Sequence, residues 1–249
     1  MTVKERIGPL PGVRHLSLLR QRIGFRGSAV YWEQRYSHGG TSGAGSYHAL
    51  AEAKAAFLND FVHTRGVGSV IEFGCGDGNQ LSLADYPSYI GLDVSRSAIG
   101  LCQRRFAGDP AKSFFLYDGA CFTDRVGLFT ADLAISLDVI YHLIEDAVFH
   151  TYMTHLFAAG GKFVIIYAPN QEIPGTAPHV KHRHFTQWAD EDARDWRLLE
   201  VMQGPISGPD RADFFLYERI AETTDVSDQA GERMRPHDVR AHRDPENPA

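Results

Sequence analysis

The sequence has few cysteines, no long apolar segment and no excess of positive charge. Its 249 residues include three cysteines, an odd and sparse set that indicates reduced thiols rather than a disulfide framework. No apolar run approaches the roughly 18 residues that span a bilayer, and the N-terminus lacks the apolar core of a signal peptide. The net charge of −6 gives no general attraction to nucleic acid. These absences predict a cytoplasmic protein with no integral membrane segment and no nucleic-acid partner.

The two ends of the chain differ in composition from the middle. Residues 1–47 contain a basic arm, with an amphipathic helix predicted near residues 15–25, followed by an aromatic and glycine-rich segment. Residues 222–249 have almost no large apolar side chains and many charges, so we expect a disordered tail. Residues 48–221 alternate strand and helix patterns, and they form the predicted folded domain.

Seven apolar, β-branched or aromatic runs predict strands. The first five alternate with helical patterns and are apolar on both faces at their centres, as buried parallel strands require. The last two flank the turn-rich sequence PISGPD and predict a hairpin. The runs lie at residues 69–74, 88–94, 113–119, 131–139, 162–169, 195–204 and 212–220. This order predicts an α/β fold with one doubly wound, Rossmann-like sheet.

A glycine loop follows the first predicted strand, and an acidic residue ends each of the next two. The loop VIEFGCGDG contains Gly74, Gly76 and Gly78, which allow a sharp turn and a close approach to a ligand. Asp93 stands where a carboxylate can accept hydrogen bonds from both ribose hydroxyls. At Asp118 a carboxylate or backbone group can hold an adenine amino group. Because the carboxyl ends of parallel strands meet at one edge of a sheet, the set predicts an adenosine site.

The ordered motifs VIEFGCGDG, IGLDVS, LYDGA and SLDVIYHL resemble those of class I S-adenosylmethionine-dependent methyltransferases over about residues 70–220. The resemblance implies a seven-stranded, mostly parallel sheet with the last strand antiparallel, and a methyltransferase domain at 48–221. It implies S-adenosylmethionine as the cofactor. The implied cofactor-binding residues at the strand ends are Glu72, Gly74, Cys75, Gly76, Gly78, Asp93, Val94, Asp118, Gly119 and Ala120. For Cys75 a small filler in the loop is the alternative, and for Glu72 a role in loop geometry.

The segment SLDVIYHL supplies the candidate catalytic residues. Methyl transfer is an in-line displacement that depends chiefly on positioning, and a hydroxyl acceptor also loses a proton to a base. Asp138, Tyr141 and His142 follow the fourth strand, at the edge that faces the transferred methyl. His142 suits the role of general base because an unperturbed imidazole has a pKa of about 6.5. The alternative is a histidine that only caps or packs against the next helix.

A long polar segment, APNQEIPGTAPHVKHRHFTQW, follows the fifth strand and contains the candidate acceptor-binding residues. Long ordered loops at the ligand edge are usually functional, so His182, Arg183 and His184 are predicted to bind the acceptor. One alternative is a divalent metal, magnesium or zinc, held by His142, His182, His184 and Asp138. The other alternative is a solvated loop.

Residues 31–47, YWEQRYSHGGTSGAGSY, are predicted to form a lid with glycine hinges. The helix that precedes the first strand begins at the ligand edge of such a sheet, so this segment should lie beside the cofactor. Trp32 and Arg35 are predicted to contact the cofactor, with Arg35 holding its carboxylate, and Tyr36 to contact the acceptor. The alternative is an ordered loop that only packs.

The predicted acceptor is a small-molecule hydroxyl, best a sugar or oligosaccharide, because the acceptor loop is rich in histidine, arginine and asparagine. The lid and glycine-loop motifs together resemble a bacterial group that includes the mycobacterial sugar O-methyltransferases of methylmannose polysaccharide synthesis. The alternatives are another hydroxyl or nitrogen acceptor, an NAD-dependent oxidoreductase and a non-catalytic cofactor-binding module. The glycine spacing disfavours the oxidoreductase. A homo-oligomer is compatible with the sequence.

Overall fold

The computed structural model of the chain describes residues 25–173, 177–206, 208 and 211–220. The predicted disordered tail and all but the last residue of the predicted amphipathic helix near 15–25 lie outside these ranges. Within them, no helix combines the length and the apolar content needed to cross a membrane.

Seven strands and five α-helices alternate along the described residues. The strands are β1 (Val70–Phe73), β2 (Tyr89–Asp93), β3 (Lys112–Leu116), β4 (Ala131–Leu137), β5 (Gly160–Ala168), β6 (Trp196–Met202) and β7 (Asp213–Arg219). The helices are α1 (Ser28–Ser37), α2 (His48–Thr64), α3 (Arg96–Arg105), α4 (Asp146–Ala159) and α5 (Phe185–Asp192). Short 3₁₀ turns occupy Ala44–Ser46, Leu81–Leu83 and Ile140–His142.

The seven strands form one sheet in the order β3-β2-β1-β4-β5-β7-β6. The pairs from β3 to β5 are all parallel, and β7 pairs antiparallel with both of its neighbours. This confirms the predicted doubly wound sheet with an antiparallel last strand. The carboxyl ends of β1, β2, β3 and β4 therefore meet at the same edge, where the predicted site residues lie.

Two apolar cores lie on opposite faces of the sheet because successive strand residues point to opposite sides. Ile71 and Phe73 belong to the core that contains residues of α4 and α5. Val70 belongs to the other core, which contains residues of α2 and α3. Both faces of the central strands are thus covered, as their near-continuous apolar sequences require. The edge strands β3 and β6 instead carry exposed apolar side chains such as Phe115 and Val201, so the burial predicted for the third strand is not found.

Helix α2 buries a charged residue on the stripe that faces the sheet. Leu58 and Phe61 are buried, whereas Leu50 and Phe57 are only half-buried. Lys54 is 1% exposed, which is rare for a lysine without a partner. The inner face of α2 therefore meets a polar region of the sheet as well as the apolar core.

Candidate active site

A cavity of about 640 Å³ lies at the carboxyl edge of the sheet. Residues of α1 and the turn at Ala44–Ser46 cover it, and the ends of β1, β2, β3 and β4 form its base. Its volume is typical of small-molecule and cofactor sites. The predicted site residues that line it are Trp32, Tyr36, Glu72, Gly74, Cys75, Asp93, Val94, Asp118, Gly119, Ala120, Asp138 and His142.

The glycine loop turns as predicted, and all three of its glycines lie close against other side chains of the protein. Gly74, Gly76 and Gly78 have φ angles of 85°, 58° and 74°, a region that favours glycine. A side chain at Gly74 would collide with Val139, and one at Gly76 would collide with Ser42. Gly78 lies against side chains of α3 and the residue that follows it. Gly76 and Gly78 thus support the loop from behind the cavity wall.

The segment that follows α1 is clamped onto the glycine loop. Asp77 Oδ2 accepts hydrogen bonds from the Ser42 amide at 2.9 Å and from the Tyr47 hydroxyl at 2.8 Å. The Asp77 amide donates to Ser42 Oγ at 3.1 Å, and Asn79 Nδ2 donates to the Ser46 carbonyl at 2.8 Å. The segment therefore lies beside the glycine loop, where it was predicted, and several hydrogen bonds hold it there.

Asp93 ends β2 and contributes a buried carboxylate to the cavity. Its oxygens accept hydrogen bonds from the amides of Gly76 at 2.9 Å and Ser95 at 2.8 Å. Burial raises the pKa of Asp93 to about 6. Each carboxylate oxygen has a further lone pair, so Asp93 can also accept from a ligand in the cavity.

Glu72 lies on β1 at the base of the cavity, where it is 4% exposed. The Tyr89 hydroxyl donates to Glu72 Oε2 at 2.5 Å. Burial raises the pKa of Glu72 to about 7, and the charge of Lys54 opposes that shift. Glu72 therefore titrates near neutral pH, and one of its oxygens already serves the packing of β1 against β2.

Asp138 ends β4 in a conformation that is unusual for a residue other than glycine. Its φ angle is 61°, in the left-handed region. Lys54 Nζ lies 2.6 Å from Asp138 Oδ2, and the Tyr141 hydroxyl donates to Asp138 Oδ1 at 3.1 Å. A side chain at Gly45 would come within 2.7 Å of Asp138 Oδ2. The carboxylate is thus held from three sides at the cavity wall, where such backbone outliers are typical of functional sites.

His142 lies in the 3₁₀ turn after β4 and lines the cavity. Its Nδ1 is 2.9 Å from the His179 carbonyl oxygen. Because a carbonyl can only accept, Nδ1 carries the hydrogen and Nε2 has the free lone pair. Burial lowers the pKa of His142 to about 4, so the ring is neutral at physiological pH but is a weaker base than the unperturbed imidazole on which the prediction relied. The Trp32 ring meets it edge-on at 4.9 Å.

The loop after β5 contacts His142 and α1 through His179. The His179 ring stacks on Tyr31 of α1 at 4.6 Å and lies parallel to the His142 ring at 5.7 Å. The three rings therefore connect α1 with the loops after β4 and β5. Such a contact between distant segments has no local sequence signal.

Arg183 has a structural position rather than the predicted acceptor-binding position. Its guanidinium donates to the carbonyls of Leu143 at 2.7 Å and Ile144 at 3.0 Å, and to the Asp146 carboxylate at 2.8 Å. It also lies 4.6 Å from the centre of the Phe149 ring. These contacts hold the connection between β4 and α4, immediately after His142.

The predicted metal site is not assembled. His182 stacks on Tyr141 at 5.6 Å, and His184 is exposed at the start of α5. The carboxylate of Asp138 pairs with a lysine, and Nδ1 of His142 faces a backbone carbonyl. Among the residues that the structure describes, no three His, Cys, Asp or Glu side chains are arranged to hold a metal ion.

Two further predicted roles differ from the structure. Arg35 Nε donates to the Thr41 carbonyl at 2.5 Å, and its guanidinium lies 5.5 Å from the Trp32 ring, so Arg35 braces the turn after α1. The predicted contact of Arg35 with the cofactor carboxylate is not supported. Tyr36 is buried with its hydroxyl 3.0 Å from Ser42 Oγ, on the glycine-loop side of the cavity rather than the acceptor side.

Helix α1 is fixed at two points across the cavity. Ser28 Oγ donates to Glu145 at 2.6 Å, beyond the end of β4. Glu33 accepts hydrogen bonds from the hydroxyls of Ser95 and Ser97, both at 2.7 Å, at the start of α3. The predicted lid is therefore a helix followed by a turn. Ser28 and Glu33, which hold the helix in place, were not predicted.

Lys54 and Gln80 also line or support the cavity and were missed. Lys54 stands on the apolar stripe of α2, four residues from both Leu50 and Leu58. This spacing in the sequence already indicates a lysine on the buried face of the helix. Gln80 follows the glycine loop, where no motif marks it.

The charged side chains of the cavity wall are mainly acidic. Among the described residues one cation, Arg26, lines it. The lining carboxylates are those of Glu72, Asp93, Asp118, Asp138 and Glu145. This distribution favours a ligand that is cationic or rich in hydrogen-bond donors.

Comparisons with known proteins agree with this geometry. Residues 46–213 match the model of a family described as a methyltransferase domain. No curated protein matches the chain.

Solved structures of methyltransferases share the fold. The methyltransferase domain of bacterial CtHen1 superposes with a TM-score of 0.56 and 22% identity, over 68% of this chain and 98% of that chain. The N-methyltransferase NodS from Bradyrhizobium japonicum WM9, in complex with S-adenosyl-L-homocysteine, superposes with a TM-score of 0.61 and 15% identity, over 78% of this chain and 98% of that chain. Magnesium protoporphyrin IX methyltransferase from Synechocystis PCC 6803, with bound SAH, superposes with a TM-score of 0.54 and 17% identity, over 80% of this chain and 97% of that chain. At these identities the likeness establishes the class I methyltransferase fold.

Proposed function

Because this chain belongs to the S-adenosylmethionine-dependent methyltransferases of the class I fold, we propose that it methylates a hydroxyl of a small polar acceptor, best a sugar or oligosaccharide. The observation that carries the proposal is the state of His142. Its Nδ1 donates to the His179 carbonyl, so Nε2 keeps its lone pair, and the residue lines the cavity. A neutral imidazole in this state can take the proton that a hydroxyl loses on methylation.

The residues of the cavity fit S-adenosylmethionine. Asp93 would hold the ribose hydroxyls, Asp118 with Gly119 the adenine, and Glu72 with Gly74 the methionine end. The ribose hydroxyls, the amino groups and the sulfonium charge of this molecule suit a wall rich in carboxylates. When bound, the cofactor supplies a methyl group on a positively charged sulfur.

The residues around His142 support a polar acceptor with a ring. Trp32 of α1 lines the cavity and offers an aromatic ring, against which the C–H groups of a sugar can pack. The Asp138 carboxylate lies at the same wall and can accept hydrogen bonds from hydroxyls. His142 takes the proton, while Tyr141 and Lys54 orient Asp138.

The cofactor class is tested by thermal unfolding with added ligand. We expect S-adenosylhomocysteine to raise the midpoint of unfolding, since a ligand that binds only the folded state stabilises it. NADH serves as the control at the same concentration. Stabilisation by NADH without stabilisation by S-adenosylhomocysteine would overturn the assignment.

The acceptor is tested by a screen with methyl-labelled S-adenosylmethionine over mono- and oligosaccharides, small phenols and small amines. We expect label in an O-methyl group of a carbohydrate, with its position read by NMR. Label only in an amine would contradict the hydroxyl proposal. Binding of S-adenosylhomocysteine with no turnover on any acceptor would favour the non-catalytic module.

A further inference from the structure

Gln80 contributes a buried amide to the cavity just after the glycine loop. Its Nε2 donates to the Ala51 carbonyl of α2 at 3.0 Å. A carbonyl can only accept, so this contact identifies the nitrogen of the amide and fixes its orientation. The remaining polar atom, Oε1, therefore has a defined position in the wall.

Gln80 Oε1 is buried and has no hydrogen-bond partner among the described residues. Buried polar side-chain atoms in native proteins nearly always have a partner, because the loss of water must be compensated. Since Gln80 lines the cavity, a bound molecule can supply the missing donor. Oε1 is an acceptor only, so that molecule must present an N–H or O–H group there.

The polar neighbours at this end of the cavity carry more negative than positive charge. Ala51 and Lys54 lie three residues apart on α2 and are therefore adjacent on its surface. Lys54 binds Asp138, and its charge acts on Glu72. Two carboxylates therefore share one ammonium in this region, and the remaining negative charge suits a second positively charged group with N–H donors.

This region lies at the opposite end from the adenine subsite. Asp118 follows β3, which is two strands from β1, and adjacent strands are about 4.8 Å apart. Gln80 instead adjoins the loop that leaves β1 and contacts α2. The adenine amino group is therefore not the donor to Oε1, because it would lie at the other end of the cavity.

We propose that Gln80 Oε1 accepts a hydrogen bond from the α-ammonium group of the methionine moiety of S-adenosylmethionine. The inference rests on the proposed function, because it takes this cofactor as the ligand. It excludes the methionine carboxylate as the partner of Oε1, since a carboxylate has no hydrogen to donate.

The test measures the affinity of the full chain for three ligands by isothermal titration calorimetry. S-Adenosylhomocysteine has both the ammonium and the carboxylate, decarboxylated S-adenosylhomocysteine keeps only the amine, and 5′-methylthioadenosine has neither. We expect Gln80→Met to raise the Kd of the first two ligands by about tenfold or more, as for one charge-assisted hydrogen bond. The Kd of 5′-methylthioadenosine should stay within about twofold.

Gln103→Met is the matched control, because Gln103 is exposed on α3. An equal loss for 5′-methylthioadenosine, or no loss for S-adenosylhomocysteine, overturns the proposal. A loss confined to the ligand with a carboxylate overturns it as well, because the carboxylate would then be the partner.

A measurement on the unsubstituted chain does not depend on the folding of the variant. The side-chain amide resonances of Gln80 should shift on binding S-adenosylhomocysteine or its decarboxylated analogue, and should shift much less with 5′-methylthioadenosine. Equal shifts with all three ligands contradict the proposal. If the unsubstituted chain binds none of these ligands, the proposed function also fails; if it binds them without this discrimination, only the role of Gln80 fails.

Discussion

Lys54 on α2 donates a 2.6 Å hydrogen bond to Asp138 at the end of β4, with the ammonium buried and the carboxylate 18% exposed at the cavity wall. The contact joins the helix before the glycine loop to the strand end that carries the candidate catalytic residues. Because Asp138 has a left-handed backbone conformation, its orientation depends on such partners.

Removing the lysine should destabilise the fold. Lys54→Met leaves the Asp138 carboxylate without its cation, and we expect a loss of about 3 kcal/mol in the free energy of unfolding. Urea denaturation measures it. Lys54→Met combined with Asp138→Asn should cost less than the sum of the two single substitutions.

Lys162 provides the control for this pair. It bonds Asp132 at 3.0 Å, but its side chain is 58% exposed, so Lys162→Met should cost less than about 1 kcal/mol. Equal losses for Lys54→Met and Lys162→Met would show that burial of the Lys54 pair has no energetic consequence.

The general base is tested by His142→Ala. Turnover should fall at least about 100-fold because the general base is lost. The affinity for S-adenosylhomocysteine should stay within a few-fold, because the proposed cofactor contacts are made by other residues. His150→Ala is the control, since His150 is exposed on α4. Normal turnover in His142→Ala would remove this residue from the mechanism.

Cofactor affinity should depend on pH through Asp93. Burial raises the pKa of Asp93 to about 6, so the carboxylate gains a proton as the pH falls through that value. The affinity for S-adenosylhomocysteine should therefore fall by about tenfold per pH unit well below pH 6 through Asp93, separately from a step near pH 7 through Glu72. Calorimetry between pH 5 and pH 8 measures the profile.

Asp93→Asn should bind S-adenosylhomocysteine more weakly and without this step. Glu72→Gln separates the two carboxyls, because burial raises the pKa of Glu72 to about 7 and its titration lies at a higher pH. Retention of the step in Asp93→Asn, or its loss in Glu72→Gln alone, would contradict the assignment to Asp93.

Arg183 should affect catalysis through the position of His142. Arg183→Met removes the hydrogen bonds to the carbonyls of Leu143 and Ile144, so we expect turnover to fall by about tenfold with unchanged cofactor affinity. Arg183→Lys keeps the charge without the planar fork and should recover only part of the activity.

Arg197→Met is the control, because Arg197 forms an exposed pair with Glu218. Equal kinetics in Arg183→Met and Arg197→Met would contradict the role of Arg183.

The fold could be predicted because its signals are local. Each strand overlaps one predicted apolar run, although most runs are longer than the strands they contain. Asp93 and Asp118 reach the cavity because strand ends of a parallel sheet share one edge. Helix α1 was not predicted, since Ser28 and Glu33, which hold it in place, bind partners more than sixty residues away in sequence.

The site could be predicted only where a residue stands at a strand end. Arg183 and His184 follow the right strand, but the path of their loop depends on contacts with the segment after β4. Gln80 carries no motif, and its role follows from one unfilled acceptor that is visible only in three dimensions. Lys54 is a charge on an apolar stripe, so its burial could have been predicted from helical spacing alone.

The helix that covers the cavity, α1, lies outside residues 46–213, the part of the chain that matches the family. The cofactor-facing strand ends and the cover therefore come from separate stretches of sequence. The two stretches are nevertheless joined, because Glu33 of α1 binds Ser95 and Ser97 and the segment after α1 binds Asp77 of the glycine loop. Any exchange of this cover, by evolution or by a protein engineer, would have to keep these contacts for the cofactor-facing loops to stay in place.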